Sequence, residues 1–284
     1  MKKTLFSKAI GCLCAAMCLC LFGCGQKKAE ENVENAETAK PKVLVLYYSQ
    51  TGATKALAEE VQKQLGCDIE AIECEDPYTG DFNQTIQRCQ DEKADGVVPT
   101  VKPLNHFIGD YDVIFLGYPV WFGSYASPIT GLLHSQSFDG MKIVTFCSFG
   151  SGGLESSTAD LRKVVDGDIT EGFCVRNARV QDAAAVVNRF LIEGGYKEGT
   201  VEPLAAFEQH HVCSAEEQAI YHEACDDYQY PFGSPVDVAA RETSSGTEYE
   251  FAAITADGRS LIYVTKPSVE GQKAYFTKVV RKEL

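Results

Sequence analysis

Apolar runs alternate with amphipathic stretches along the first two thirds of the chain. Residues 42–48, 113–116 and 142–147 are almost continuously apolar, which is typical of strands buried on both faces of a parallel sheet. Weaker strands are predicted at residues 68–73, where charged positions suit a sheet edge, and at residues 171–175.

The segments between these strands carry apolar residues at helical spacing. In the first of them, Leu57, Ala58, Val61 and Leu65 share one face, and Gly66 ends the helix. Further helices are predicted at residues 81–93, 129–134, 154–165 and 183–193, while residues 94–109 are expected to be irregular. Strand and helix alternate five times, so the sequence predicts an α/β fold with a doubly wound, five-stranded parallel sheet at residues 42–197.

The pattern changes at residue 198. A helix at residues 215–225 precedes four predicted strands, and Asp257-Gly258 is a suitable hairpin turn between the second and third of them. These strands cover residues 236–243, 248–255, 260–265 and 273–280. Residues 198–284 are therefore expected to form a small antiparallel α+β unit, which we predict to be separable from cofactor binding.

The N-terminus has the pattern of an export signal. Three lysines precede an apolar run at residues 10–22, which is too short to span a bilayer as a mature helix. Residues 1–23 are thus predicted to be a signal peptide. The run ends in Leu-Phe-Gly-Cys24, which resembles a bacterial lipobox and implies lipidation of Cys24; ordinary cleavage and an uncleaved anchor are the alternatives.

The polar residues 24–41 are predicted to be a lipid-anchored linker. The chain carries a formal net charge of −14, and removing the three lysines of the signal peptide makes it −17. So acidic a protein is not expected to bind nucleic acid or anionic lipid by charge. We therefore expect membrane contact through the acyl chains alone, on the outer face of the bacterial cytoplasmic membrane or a periplasmic membrane surface.

An odd number of cysteines remains after the export segment, which argues against a closed disulfide framework and favours free thiols. They are Cys67, Cys74, Cys89, Cys147, Cys174, Cys213 and Cys225.

Three segments follow the central strands, where an open α/β sheet binds its ligand. The first offers hydroxyls, a glycine and the N–H groups of a helix start, which together can hold a phosphate dianion, although a plain N-cap is the alternative. The Lys-containing triphosphate loop G-x-x-x-x-G-K-[ST] is absent. The residues of this first loop are Ser49, Gln50, Thr51, Gly52, Ala53 and Thr54.

The other two segments could hold a flat ring. The second loop follows Tyr118, contains the only tryptophan of the chain and consists of Pro119, Val120, Trp121, Phe122 and Gly123. Aromatic and rigid backbone walls suit a ring system, although packing alone is the alternative. The third loop exposes backbone N–H groups or is a flexible connector, and it consists of Ser148, Phe149, Gly150, Ser151, Gly152 and Gly153.

With these loops, residues 42–197 resemble the flavodoxins, in particular short flavodoxin-like domains with Y-P-x-W-W-G and G-G-S-G-type loops. The resemblance implies a flavodoxin-like sheet and FMN, with the phosphate on residues 49–54 and the isoalloxazine between residues 119–123 and 148–153. The chain departs from the pattern at Phe122, where a second tryptophan is common, and in the glycine and serine order of the third loop.

The resulting hypothesis is an FMN electron carrier acting between redox partner proteins or small-molecule acceptors. An FMN-dependent NAD(P)H:quinone-type reductase and a flavin-free surface lipoprotein are the alternatives, so enzymatic activity stays open, and no catalytic acid, base or nucleophile stands out. Covalent attachment at Thr51–Thr54 is not favoured, because that acceptor motif has aspartate where this chain has Tyr48. Zinc at His211, Cys213, His222 and Cys225 is not favoured, because their spacing matches no familiar zinc module.

Overall fold

The computed structural model describes residues 40–79, 82–226, 228, 232–255 and 258–282. These residues belong to one compact unit, Lys40–Leu284. The predicted signal peptide, Cys24 and nearly all of the predicted linker lie outside the described residues. Within the described part of the chain, no helix has the length and apolar character needed to cross a membrane.

The first part of the chain alternates strands and helices, as the sequence predicts. Its strands are β1 (Val43–Tyr47), β2 (Asp68–Ala71), β3 (Val113–Trp121), β4 (Ser124–Tyr125), β5 (Lys142–Phe149) and β6 (Asp168–Arg176). Its helices are α1 (Ala53–Leu65), α2 (Phe82–Asp95), α3 (Ser127–Ser135), α4 (Leu154–Arg162) and α5 (Ala183–Glu193), with short 3-10 helices at Ile108–Asp110 and Asn177–Asp182.

The parallel sheet has the strand order β2-β1-β3-β5-β6, and the short strand β4 pairs antiparallel with β3. The chain moves outward from β1 to β2 and then crosses to β3 on the other side of β1. Strand order therefore reverses between β1 and β3, which opens a crevice at the carboxyl ends of these strands. The predicted doubly wound parallel sheet is confirmed.

Alternation along the strands divides the core between the two faces of the sheet. Leu44 and Ile114 pack on the same face as Ile129 of α3 and Leu161 of α4. The neighbouring positions, such as Val45 and Phe115, face the opposite way and pack against α1 and α5. A strand buried on both faces needs apolar residues at every position, which explains the continuous apolar run of β1.

Several predicted boundaries were wrong. Strands β3 and β5 run further than expected, so Pro119–Trp121 and Ser148–Phe149 are strand residues, although the sequence predicted them to be in loops. Parallel pairing of β3 with β5 continues to Pro119 and Ser148, and β4 pairs with the end of β3, which holds both segments extended. In the segment predicted to be irregular, α2 reaches Asp95 and a 3-10 helix forms at Ile108–Asp110.

The C-terminal part is the predicted antiparallel α+β unit. Helix α6 (Ala215–Cys225) has the predicted bounds, and Ser214 and Glu217 form a capping box at its start. The strands are β7 (His211–Val212), β8 (Ser234–Thr243), β9 (Gly246–Thr255), β10 (Gly258–Pro267) and β11 (Tyr275–Lys282), in the order β11-β10-β9-β8-β7. The two-residue strand β7 was not predicted, and the turn between β9 and β10 includes residues outside the described set.

Candidate functional site

The first loop ends β1 and begins α1 through a left-handed glycine. Gly52 has φ +92° and is the N-cap of α1, and its N–H donates a 3.2 Å hydrogen bond to the hydroxyl of Ser49. The first turn of a helix presents N–H groups that have no partners within the helix and lie at its positive end. Thr51 and Gly52 are exposed beside them. This end of α1 can therefore receive an anion.

Thr54 has a different position from the rest of this loop. It is only 1% exposed, and its hydroxyl shares a buried 2.8 Å hydrogen bond with the hydroxyl of Ser148 on β5. The first and third loops are thus joined beneath the crevice. The predicted donation from Thr54 to a phosphate stays a prediction, and the side-chain hydroxyls of this loop nearer solvent are those of Ser49 and Thr51.

The second loop is a tight hairpin turn between β3 and β4. Trp121 pairs with Ser124, and the two residues between them, Phe122 and Gly123, both have positive φ, at 52° and 77°. Among the described residues other than glycine, Phe122 alone has positive φ, which costs about 1–2 kcal/mol for a residue with a Cβ. Phe122 is also 62% exposed. Backbone strain of this kind is concentrated at functional sites, so the strained and exposed Phe122 marks this turn as a candidate part of the site.

Trp121 is held by aromatic neighbours from two other segments. Its ring centroid lies 5.7 Å from that of Tyr48 and 5.2 Å from that of Tyr78. The Tyr78 hydroxyl donates a 2.5 Å hydrogen bond to Glu92, and the Arg88 guanidinium lies 3.9 Å from the centre of the Tyr78 ring. Burial raises the pKa of both tyrosines above the ordinary tyrosine value. These contacts hold the Trp121 ring at the carboxyl end of β3, beside the point where strand order reverses.

The third loop approaches the second very closely. Gly153 has φ +114°, and a Cβ at this position would lie 2.6 Å from a methyl carbon of Val120. Only glycine fits this approach without movement of the Val120 side chain or of the loop. Phe149, which the sequence placed among the ring contacts, is 1% exposed and packs in the core, so only its backbone is available to a ligand.

The three predicted loops therefore meet at one edge of the sheet. Thr54 and Ser148 join the first loop to the third, Val120 and Gly153 bring the second against the third, and Tyr48 and Trp121 connect the first with the second. Sequence reasoning did not find the packing of Tyr78 on Trp121, nor Arg176, whose Nε donates a 3.1 Å hydrogen bond to the carbonyl of Gly150. The position of Arg176 at the carboxyl end of β6 was the available signal.

A separate groove of about 750 Å³ lies beside α2. Of the described residues that line it, Arg88 is basic, and Glu75, Asp76, Asp91, Glu92 and Asp95 are acidic. A groove of this charge repels a phosphate, so it does not compete with the crevice as a site for an anionic cofactor.

The described cysteines are free thiols, including Cys147 and Cys174, which are directly paired on β5 and β6. The residues considered for zinc have other contacts. His211 bonds Glu217 at 2.9 Å and His222 bonds Asp226 at 3.0 Å, while the two cysteines pack in the core of the C-terminal unit. No group of three or more potential metal ligands occurs within the described ranges.

Comparison with known proteins places this arrangement in a family. The flavodoxin family model matches residues 42–189. A solved protein from Bacteroides eggerthii DSM 20697 is 28% identical, with 52% of this chain and 98% of that chain covered and a TM-score of 0.41. A Lactobacillus acidophilus NCFM flavoprotein solved in complex with FMN is 23% identical, with 51% and 99% covered and a TM-score of 0.43. No curated protein is significantly similar to the chain. Because the family model matches more than half of the sequence, the chain belongs to the flavodoxin family.

Proposed function

We propose that this chain is an exported, lipid-anchored FMN-binding protein that carries electrons between redox partners. The observation that carries the proposal is the meeting of three loops at the β1/β3 switch point: a glycine-capped helix start, a fixed tryptophan and a glycine-rich turn. In this strand order the switch point is the expected position for FMN, and flavodoxin is itself an example of this rule.

The chemistry of the first loop favours a monophosphate. The start of α1 supplies N–H groups and the positive end of the helix dipole, and Ser49 and Thr51 add neutral hydroxyl donors. Lys55, the first cationic residue after the loop, lies in α1 with its ammonium 3.6 Å from a carboxylate oxygen of Glu59, and the G-x-x-x-x-G-K-[ST] pattern of a triphosphate loop is absent. Residues 49–54 would thus hold the phosphate of FMN.

The second and third loops suit the ring system. Trp121, held edge-on by Tyr48, would form one wall, and the backbone of Gly150 to Gly153 would form the other. When bound, FMN supplies the one-electron and hydride chemistry. The residues of this chain orient the ring, exclude water from its faces and present backbone N–H and C=O groups at its edge.

The proposed location rests on the lipobox at Cys24 and the acidic charge of the mature chain. Mass spectrometry of membrane fractions should find a diacylated Cys24 at the mature N-terminus. The Cys24→Ala variant should lose processing and membrane retention, and unchanged retention would show that another feature anchors the chain.

The spectrum of the purified full chain tests the cofactor assignment. We expect yellow protein that releases FMN on denaturation, whereas colourless protein that takes up no FMN would favour the flavin-free alternative. Stopped-flow mixing with NAD(P)H then separates carrier from reductase. A carrier should be bleached slowly, and rapid bleaching would instead favour a reductase.

A further inference from the structure

The outer edge of the C-terminal sheet lies against the glycine-rich third loop. Strand β11 is an edge of that sheet and pairs with β10, where Ile262 is opposite Val279. On its other side, the N–H of Val279 donates a 2.9 Å hydrogen bond to the carbonyl of Ser151. The backbone of the third loop thus covers part of a sheet edge that would otherwise face solvent.

Gly152 allows this approach. Its φ is +156°, and a Cβ added there would overlap the carbonyl oxygen of Val279. Carbon and backbone oxygen do not come this close in proteins, so a side chain at this position would force the loop and β11 apart. The close approach and the hydrogen bond are independent features of the same contact.

Arg176 connects the same loop to the C-terminal sheet by a second route. Its Nε donates to the carbonyl of Gly150, and its guanidinium lies 3.5 Å from the centre of the Phe276 ring on β11. Nearby, the Arg179 guanidinium lies 3.6 Å from the centre of the Tyr275 ring on the same strand. A cation this close to an aromatic ring is attracted by it, and more strongly when partly desolvated. Two successive carbonyls of the loop are therefore held, one by β11 and one by an arginine stacked on β11.

We propose that the C-terminal sheet is a structural part of the flavin site, in which Val279, Gly152 and Arg176 are positioning residues that fix the loop beside the flavin ring. The inference rests on the proposed FMN function. A loop fixed before binding loses less conformational freedom when the ring enters, so its order contributes to affinity. The sequence predicted that residues 198–284 are separable from cofactor binding, and these contacts lead us to infer the opposite.

The test measures FMN and riboflavin affinity in the full chain. Val279→Pro removes the N–H that bonds the Ser151 carbonyl, and it breaks no hydrogen bond between β11 and β10, because this N–H points away from β10. One net backbone hydrogen bond corresponds to roughly a fivefold change in an equilibrium constant. We expect both dissociation constants to rise by about this factor, and by the same factor, because the loop is a wall for the ring and not for the phosphate. Gly152→Ala should raise the dissociation constants of both flavins at least as much.

Two matched variants control for general damage to the C-terminal unit. Val269→Pro places the same substitution in the turn between β10 and β11, where the side chain is 57% exposed. Gly271→Ala places an alanine at φ +81° in the same turn, with no atom within 4 Å of the added Cβ. Both should bind the two flavins as wild type does. Circular dichroism and melting curves establish that each variant is folded.

Each outcome separates the two proposals. Wild-type protein that binds no flavin refutes the proposed function and this inference with it. Wild-type binding together with unchanged affinity in folded Val279→Pro and Gly152→Ala refutes this inference alone, as does a loss confined to FMN. If Val279→Pro does not fold, the Arg176→Ala variant provides the test. We expect it to bind both flavins about tenfold more weakly, because the lost hydrogen-bond donor is charged. Wild-type affinity in this variant would refute the inference.

Discussion

The buried hydrogen bond between Thr54 and Ser148 offers a quantitative test of how the site is assembled. Both side chains are 1% exposed, and their hydroxyl oxygens are 2.8 Å apart. Thr54→Val keeps the shape of the side chain but leaves the hydroxyl of Ser148 buried without this partner. A buried polar group deprived of its partner costs about 1–3 kcal/mol, so each of Thr54→Val and Ser148→Ala should lower the free energy of unfolding by that amount.

The double variant should lose less than the sum of the two single variants, because neither unpaired hydroxyl then remains. Urea unfolding of the four proteins measures this coupling. The FMN dissociation constant should also rise, by roughly fivefold, because about 1 kcal/mol is then needed to restore the order of the two loops on binding. Strictly additive losses of stability would refute the reasoning.

A second buried hydroxyl pair provides the control for binding. Thr145 of β5 and Thr158 of α4 are fully buried, with their hydroxyl oxygens 2.8 Å apart, but neither belongs to the three loops. Thr145→Val should therefore destabilise the fold by a similar amount and leave the FMN affinity of the folded protein unchanged. A similar loss of affinity in this variant would mean that binding follows global stability and not the connection between the loops.

Other parts of the structure make separate predictions. Gly153→Ala should lower the free energy of unfolding by about 1–3 kcal/mol and weaken FMN binding, because the added Cβ would lie 2.6 Å from a methyl carbon of Val120. Melting curves measure the loss of stability, and FMN titration measures the loss of affinity. Trp121→Ala should change the flavin's spectrum and reduction potential more than its affinity, since it alters a ring wall and not the phosphate site, and potentiometric titration would show this. Burial lowers the pKa of His210, but its hydrogen bonds with Glu250 and Asp237 raise it more, so the net pKa is raised. These two hydrogen bonds should stabilise the fold fully below the ordinary histidine pKa of about 6.5, and this stabilisation should be lost as pH rises through the folded-state pKa of His210. Urea unfolding across this range should show a fall in the free energy of unfolding of the wild-type protein that the His210→Gln variant lacks.

Local patterns predicted much of the fold because each depends on neighbours in the sequence. The apolar run of β1 reflects burial on both faces, and the left-handed Gly66 ends α1 where the pattern indicated. Helix α6 also begins and ends at the predicted residues, since the capping box of Ser214 is itself a local signal.

The parts that sequence could not predict depend on contacts between distant segments. Phe122 adopts a positive φ that its own preference disfavours, because β4 folds back on β3. The position of Thr54 at a helix start predicts that its hydroxyl donates a hydrogen bond to a phosphate. In the structure this hydroxyl is buried against the hydroxyl of Ser148, 94 residues later. The contact of β11 with the third loop joins a loop to an edge strand far later in the chain, so no local periodicity indicates it.

The most direct test of an FMN site at the start of α1 is the affinity of the flavin-free full chain for FMN and for riboflavin, which has the ring but lacks the phosphate. Each hydrogen bond to a charged oxygen contributes about 1.5–3 kcal/mol, so two such bonds predict that FMN binds at least about a hundredfold more tightly. Thr51→Ala should reduce this difference in affinity, because it should weaken the binding of FMN and leave the binding of riboflavin unchanged. Equal affinity of the wild-type protein for FMN and riboflavin would contradict the assignment of residues 49–54 to the phosphate.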